Sequence, residues 1–197
     1  MAADTEYAEG TTLELLNTEE IVALCHQNGF KSNGLTYPLN GSPIAYIKYG
    51  GMVSEGEIQT QNYVHKVFDQ RDTASSVKVP KIYRAFEFEG QMYVVMEYIQ
   101  GRTAGSLLRD SATDKNWIYN QIAKAFAHLL WVPVPQNSRL GPVGGGYIHH
   151  CFFKDGVAPI EYESVEDLQS HINKVGSLAQ HLSSFSPLLL VILRYPY

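Results

Sequence analysis

Lys48 is the basic residue of this chain that is best placed to do chemistry. It stands near the end of the apolar segment Ile44–Tyr49, which reads as a strand, and from there its side chain can meet phosphate oxygens as a point charge. Such an ammonium needs an acid to hold it in place. Glu57, near the start of the next predicted helix, is our candidate, with Glu55 as the alternative. Lysines at strand ends are also commonly just solvated, and the local sequence leaves that interpretation open.

A second candidate segment is Tyr93–Ile99, which is apolar and aromatic and is followed by Gly101. A strand that leaves its sheet beside a glycine can expose backbone N–H and C=O groups to a flat heterocycle. An interior strand with an edge turn would have the same sequence, so this alternative also stays open.

The histidines and cysteines do not form a recognisable metal motif. The residues of His149–Cys151 are adjacent and point in different directions, and His171 and His181 are ten residues apart rather than at the i, i+4 spacing of zinc-binding helices. We therefore predict no metal site. Cys25 and Cys151 lie far apart in the sequence; we predict that both are small buried hydrophobes in a reducing compartment.

The elements that must position Lys48 and Glu57 follow from turn and periodicity signals. Asn17 or Thr18 can cap a short first helix, and the turn Glu89-Gly90 joins two apolar runs into a hairpin. A strand, a helix and then a hairpin give an α+β fold. We predict helices at 17–29 and 54–68, and strands at 44–49, 77–86 and 92–99.

Beyond Gly101 the apolar pattern becomes helical. Asp114 caps one predicted helix, in which Trp117 and Phe126 are expected in the core, and Ser164 begins another after an irregular connection. We divide the chain into an N-terminal extension with a short helix (1–29), a sheet-bearing lobe (30–100), a partial helical lobe (101–184) and an atypical apolar tail (185–197).

Composition excludes several classes of partner. The 197-residue chain has a net charge of −5 and no lysine- or arginine-rich run, so we expect no nucleic-acid binding. The segment Met1–Gly10 lacks the apolar core of a secretory signal, and we expect a cytoplasmic protein. The apolar run Leu188–Leu193 is far shorter than the roughly 20 residues that a membrane-spanning helix needs, so we expect no membrane contact.

Taken in order, these segments resemble the aminoglycoside phosphotransferase (choline kinase-like) family, and fungal members look especially similar. The resemblance covers roughly residues 40–180. It implies a protein kinase-like fold, with 30–100 as the N-lobe and an incomplete helical C-lobe, and the ATP-dependent phosphorylation of a small molecule's hydroxyl group. The segments that carry it are Ile47-Lys48, Glu57, Val79–Tyr83, Val95–Gly101, Leu140–Gly146, His149–Gly156 and Tyr162–Ser164.

The same resemblance implies a site for ATP. Lys48 would pair with the α- and β-phosphates, and Glu57 would anchor Lys48. The segment Tyr37–Ser42 would form the flap over the phosphates, and the backbones of Glu97 and Ile99 would face adenine. The interlobe hinge itself would consist of Met96, Glu97, Tyr98 and Ile99.

The sequence departs from the family in its catalytic half. Relatives have a His-Gly-Asp-type loop followed by a metal-binding asparagine, and a second aspartate that binds Mg²⁺, whereas here no Asp or Glu follows Asp167. We therefore expect no catalytic residue and no Mg²⁺ ligand, and a truncated, inactive kinase-like chain. The alternatives are a non-enzymatic nucleotide-binding or scaffolding pseudokinase-like protein, and an enzyme that takes its metal-binding acids from another chain. An apolar face around Leu168 and Ile172 is expected to favour self-association.

Overall fold

The computed structural model of the chain describes residues 5–6, 17–29, 34–38, 41–51, 53–70, 77–136 and 138–182, of which residues 5–6 and 177–182 are described by their backbone alone. Leu39 and Asn40 of the predicted flap and the whole predicted apolar tail (185–197) lie outside the described residues. The chain divides into two units. The first comprises Met1–Ser138 and Pro142–Gly146, and the second comprises Arg139–Gly141 and Tyr147–Tyr197.

The first unit contains an antiparallel five-stranded sheet in the order β1-β4-β5-β3-β2. Together with its helices, the sheet confirms the predicted α+β class. The strands are β1 (Thr5–Glu6), β2 (Gly34–Tyr37), β3 (Ala45–Gly50), β4 (Ile82–Phe88) and β5 (Gln91–Glu97), and the helices are α1 (Thr18–Asn28), α2 (Glu55–Gln70), α3 (Ala104–Arg109) and α4 (Lys115–Leu130). The second unit contributes a 3-10 turn (Lys154–Gly156) and α5 (Val165–Leu182).

The predicted hairpin is present as β4 and β5. Its two turn residues, Glu89 and Gly90, have φ angles of 49° and 74°, as in the two-residue turns whose twist matches that of the flanking strands. The strand predicted at 77–86 begins later, at Ile82, because Pro80 has no N–H to donate to a ladder.

Helix α1 covers one face of the sheet. Its first turn is closed by a capping box, in which the Glu20 N–H donates to Asn17 Oδ1 and the Asn17 N–H donates to Glu20 Oε2, both at 2.9 Å. Cys25 is buried on this face, and its burial raises the pKa of the thiol to about 12, so it is a neutral, small hydrophobe as predicted. Cys151 is exposed, and that prediction is wrong. The buried residues on this face are Ile21, Val22, Cys25, Leu35, Ala45, Ile47, Tyr49, Phe86, Tyr93 and Val95.

Helix α2 belongs to a second core cluster, formed by Val53, Ile58, Ile82, Ala85, Val94 and Met96. Along β3, Ala45, Ile47 and Tyr49 pack in the cluster with α1, while Tyr46 packs against the cluster with α2. Side chains alternate along a strand, so Lys48 lies on the same face of β3 as Tyr46.

Helix α4 is less covered than its apolar periodicity predicts. Asp114 caps it through a 2.9 Å hydrogen bond from the Asn116 N–H, and Ile118 is buried. The prediction that Trp117 and Phe126 lie in the core is wrong, because these side chains are 54% and 62% exposed. The neighbouring α3 has only six residues and is too short to cover the whole of α4.

The second unit has its own small core of Phe153, Ala158 and Tyr162, against which Leu168 of α5 packs. Tyr162 is buried beside the rings of Phe153 and His171, and its hydroxyl oxygen has no hydrogen-bond partner among the described residues. Among the described helices of the chain, none is long and apolar enough to cross a membrane.

Candidate functional site

The centre of the candidate site is an ion pair between Lys48 Nζ and Glu57 Oε1. Both side chains are partly accessible, at 32% and 39% of their full exposure. An ammonium carries three N–H donors, so the contact with one carboxylate oxygen leaves donors for other acceptors. The structure thus brings together the two residues that the sequence singled out, in a setting that solvent can reach.

Glu57 owes its position to the start of α2. The Glu57 N–H donates to Ser54 Oγ at 3.1 Å, and the Ile58 N–H donates to the Ser54 carbonyl at 3.2 Å, which places Ser54 as the cap of the helix. The alternative partner, Glu55, instead accepts a hydrogen bond from Gln59 Nε2 at 2.8 Å. The structure therefore decides between the two acids in favour of Glu57.

The predicted hinge runs from the end of β5 into irregular chain. Met96 is buried and Glu97 is the last residue of the strand, while Tyr98 and Ile99 follow without regular structure. The Glu97 N–H already donates a hydrogen bond to the Lys81 carbonyl at 2.8 Å, so it is not open to a ligand. Ile99 is exposed. Of the expected adenine-facing groups, the carbonyl of Glu97 and the backbone of Ile99 are the ones to test.

The Glu97 side chain holds the hinge to the chain before β4. Lys78 Nζ donates to Glu97 Oε1 at 2.6 Å, and the Lys81 N–H donates to Oε2 at 3.3 Å. Burial raises the pKa of Glu97, but these hydrogen bonds and the charge of Lys78 outweigh burial and bring the pKa below its ordinary value. The carboxylate is thus a structural anion, and its charge is already compensated.

The strand register fixes the distance between Lys48 and the predicted hinge at the end of β5. Lys48 pairs with Val94, and Ala45 pairs with Glu97, so the lysine and the hinge are three residues apart along adjacent strands. At roughly 3.4 Å per residue this is a separation of about 10 Å, which the base, the sugar and the first phosphates of a nucleotide can bridge. The predicted flap, Tyr37–Ser42, begins at the end of β2, and the Ile44 N–H donates to the Tyr37 carbonyl at 2.8 Å.

Two neighbours of the site were not foreseen from the sequence. Gly34 lies opposite Lys48 on β2, and a Cβ atom there would lie 2.3 Å from the hydroxyl oxygen of Tyr46, so only glycine leaves room for that ring. Gln61 of α2 donates from Nε2 to the Pro80 carbonyl at 3.0 Å and contacts Met96 Sδ at 3.6 Å. A glycine in a strand is a signal of close approach, whereas nothing local indicates the partners of Gln61.

Metal-binding groups are not gathered in the part of the chain that the structure describes, where no three His, Cys, Asp or Glu side chains converge. In the second unit, Glu161, Glu163 and Asp167 line one groove. However, Glu161 pairs with Arg139 at 3.4 Å, and Asp167 Oδ2 accepts the Ser164 hydroxyl at 2.7 Å. The carboxylates of Glu161 and Asp167 therefore serve local contacts.

Comparison with protein-family models, with curated proteins and with solved structures found no significant match to this chain.

Proposed function

We propose that the first unit binds a nucleoside triphosphate such as ATP, with Lys48 on its phosphates and the chain at Met96–Ile99 on its base. The observation that carries this proposal is the Lys48–Glu57 ion pair. A carboxylate fixes the direction of a long, flexible ammonium that would otherwise lose conformational entropy on meeting a ligand. The pair stays partly open to solvent, which a phosphate group requires in order to reach it.

The placement of Lys48 also supports a phosphate ligand rather than a solvated strand end. It lies on β3, between β5 and β2, and about 10 Å along the strands from the end of β5. This arrangement joins a charged group to the end of a neighbouring strand, where the chain leaves regular structure and Ile99 is exposed. A nucleotide, with a charged end and a flat hydrogen-bonding end, matches both.

The proposed lineage is that of small-molecule kinases of the aminoglycoside phosphotransferase type, and the proposed activity of this sequence is nucleotide binding without phosphoryl transfer. Transfer depends on metal ions and a positioned base, which supply most of the charge stabilisation. In the family these come from acids in the catalytic loop and beyond it, and this sequence has no Asp or Glu after Asp167.

The test is calorimetric titration of the purified chain with ATP, with and without Mg²⁺, together with the variant Lys48→Met. A charge-assisted hydrogen bond is worth about 1.5–3 kcal/mol, so the variant should bind roughly 10- to 150-fold more weakly. Lys66→Met is the matched control, because Lys66 is an exposed lysine on the same helix as Glu57. Equal affinity of wild type and Lys48→Met would refute the proposal, and steady ADP production with Mg²⁺-ATP would refute its non-catalytic part.

A scaffolding role is the second candidate, and the exposed apolar side chains of α4 favour it. Large apolar side chains are exposed along this helix and just after it, which is the composition of a contact surface rather than of a solvated one. Sedimentation over a range of concentrations, with and without ATP, separates the two functions, since scaffolding through α4 does not require nucleotide. The exposed residues are Trp117, Tyr119, Phe126, Leu129, Leu130, Trp131 and Val134.

A further inference from the structure

Helix α2 carries two rows of contacts on different sides. One row faces the sheet: Ile58 and Phe68 are buried, and Gln61 and His65 bond to the backbone carbonyls of Pro80 and Val79. The other row consists of Gly56, Gln59, Thr60 and Tyr63, at the spacing of three and four residues that shares one helix side.

Three residues of the second row, Gly56, Gln59 and Thr60, contact the segment Pro142–Gly146, which we call the clip, while the Tyr63 hydroxyl donates to the Pro133 carbonyl at 2.8 Å. The Val143 N–H donates to Thr60 Oγ1 at 2.9 Å, although the two residues are 83 apart in sequence. A Cβ atom at Gly56 would lie 2.5 Å from Pro142 Cγ, and a Cβ atom at Gly144 would lie 1.6 Å from Gln59 Oε1. The clip thus touches α2 at three successive points, and two of them depend on a glycine.

The conformation of the clip is itself specified by its sequence. Gly144, Gly145 and Gly146 have φ angles of 90°, 92° and 103°, a region that side-chain-bearing residues rarely adopt. The Gly145 N–H closes a turn onto the Pro142 carbonyl at 3.0 Å. Gly56 is unfavourable inside a helix, so its presence at the contact with Pro142 is explained by the close approach rather than by helix formation.

From these contacts we infer that the clip is a positioning element, which fixes the first turns of α2 so that Glu57 reaches Lys48. Gly56 immediately precedes Glu57, and Thr60 lies less than one turn beyond it, so the clip grips α2 on both sides of the acid. One part of this inference rests on the proposed function, namely that the clip positions Lys48 for binding phosphate. The contact itself is independent of any ligand.

The experiment measures the chemical reactivity of the Lys48 amine without nucleotide, by dilute acetic anhydride labelling and peptide mass spectrometry. An ammonium bonded to a carboxylate reacts only after release and deprotonation, so the labelling rate follows the population in which the pair is open. Thr60→Val keeps the side-chain shape but removes the acceptor for the Val143 N–H. Loss of a hydrogen bond of ordinary net strength should raise this rate about threefold, because so accessible a pair is already open in an appreciable fraction of molecules.

Gly56→Ala is the second variant, and it should raise Lys48 labelling by a similar factor because its methyl group displaces the clip. Its matched control is Gly176→Ala in α5, where an added Cβ meets nothing within 4 Å and labelling of Lys48 should not change. Exposed Lys66 serves as the internal reference in each sample.

Unchanged Lys48 labelling in folded Thr60→Val overturns the inference, whatever happens to Gly56→Ala. ATP titration of the same proteins keeps the two proposals apart. If wild type does not bind ATP, the proposed function fails, while the labelling result still decides whether the clip positions the pair.

Discussion

A double-mutant cycle on Lys48 and Glu57 measures how much their ion pair contributes to folding. The four proteins are wild type, Lys48→Met, Glu57→Gln and the double variant. Both side chains are about one-third exposed, which places the pair with accessible salt bridges, whose coupling energies are about 0.2–1 kcal/mol. We expect a coupling near the upper end of that range, because Glu57 is held by the helix start and loses little further freedom.

The assay is urea unfolding followed by circular dichroism, since urea leaves the ionic strength low and the charge interaction unscreened. The coupling should fall when salt is raised to about 1 M, where the Debye length is about 3 Å. Each single variant should keep the m-value of wild type, which shows that the fold is intact.

The size of the coupling energy between Lys48 and Glu57 determines how a loss of ATP affinity in Lys48→Met is interpreted. A buried pair would lose about 3–5 kcal/mol when one partner is removed, and weaker ATP binding by Lys48→Met could then reflect a damaged fold. A pair worth less than about 1 kcal/mol leaves the fold intact, so that a large loss of affinity reports a lost ligand contact. A coupling above about 3 kcal/mol, or none at all, would refute this reasoning.

Three further predictions concern other parts of the chain. Tyr162→Phe removes a buried hydroxyl that has no partner among the described residues, and it should stabilise the chain by about 1 kcal/mol in urea unfolding. The Tyr49 hydroxyl bonds to Asn28 and to the Gly29 carbonyl, so Tyr49→Phe should destabilise the chain by about 1–2 kcal/mol. A change of the same sign in both variants would contradict these hydrogen-bond assignments. The pKa of Glu97 is lower in the folded chain than in the unfolded chain. Its contribution to the free energy of unfolding is therefore present above the unfolded pKa of about 4.3 and is lost as pH falls through the folded pKa. The stability difference between wild type and Glu97→Gln should shrink below about pH 4.3, and a difference that stays constant down to pH 2 would be evidence against this. Ile118→Ala should cost about 2–4 kcal/mol and Phe126→Ala less than about 1 kcal/mol in thermal unfolding, and equal losses would mean that α4 is covered.

Local signals in the sequence are sufficient to predict many of the helices and strands of the first unit. The cap at Asn17, the turn at Glu89-Gly90 and the cap at Asp114 each depend on residues within a few positions, and each is present. Lys48 could be singled out for the same reason, because a charge in an apolar strand is conspicuous. The choice of Glu57 over Glu55 needed the direction in which the first turn of α2 points.

Contacts between distant segments could not be read from the sequence. Phe126 shares the helical spacing of Ile118, Ile122 and Leu129, but periodicity does not reveal whether another element covers that face. Trp117 lies nine residues before Phe126 and therefore on the opposite side of the helix. The contact of Pro142 with Gly56 joins residues on separate elements and has no local signature. A glycine inside a helix indicates close approach without naming the partner.

The central claim is that the ammonium of Lys48 meets the phosphates of a bound nucleotide. An ATP analogue with an acyl group on its terminal phosphate transfers that group to an amine lying beside the phosphates, and peptide mass spectrometry identifies the modified lysine. We predict acylation of Lys48 that excess ATP suppresses, with little modification of Lys66 and Lys78. Acylation spread over the exposed lysines and unaffected by ATP would contradict it.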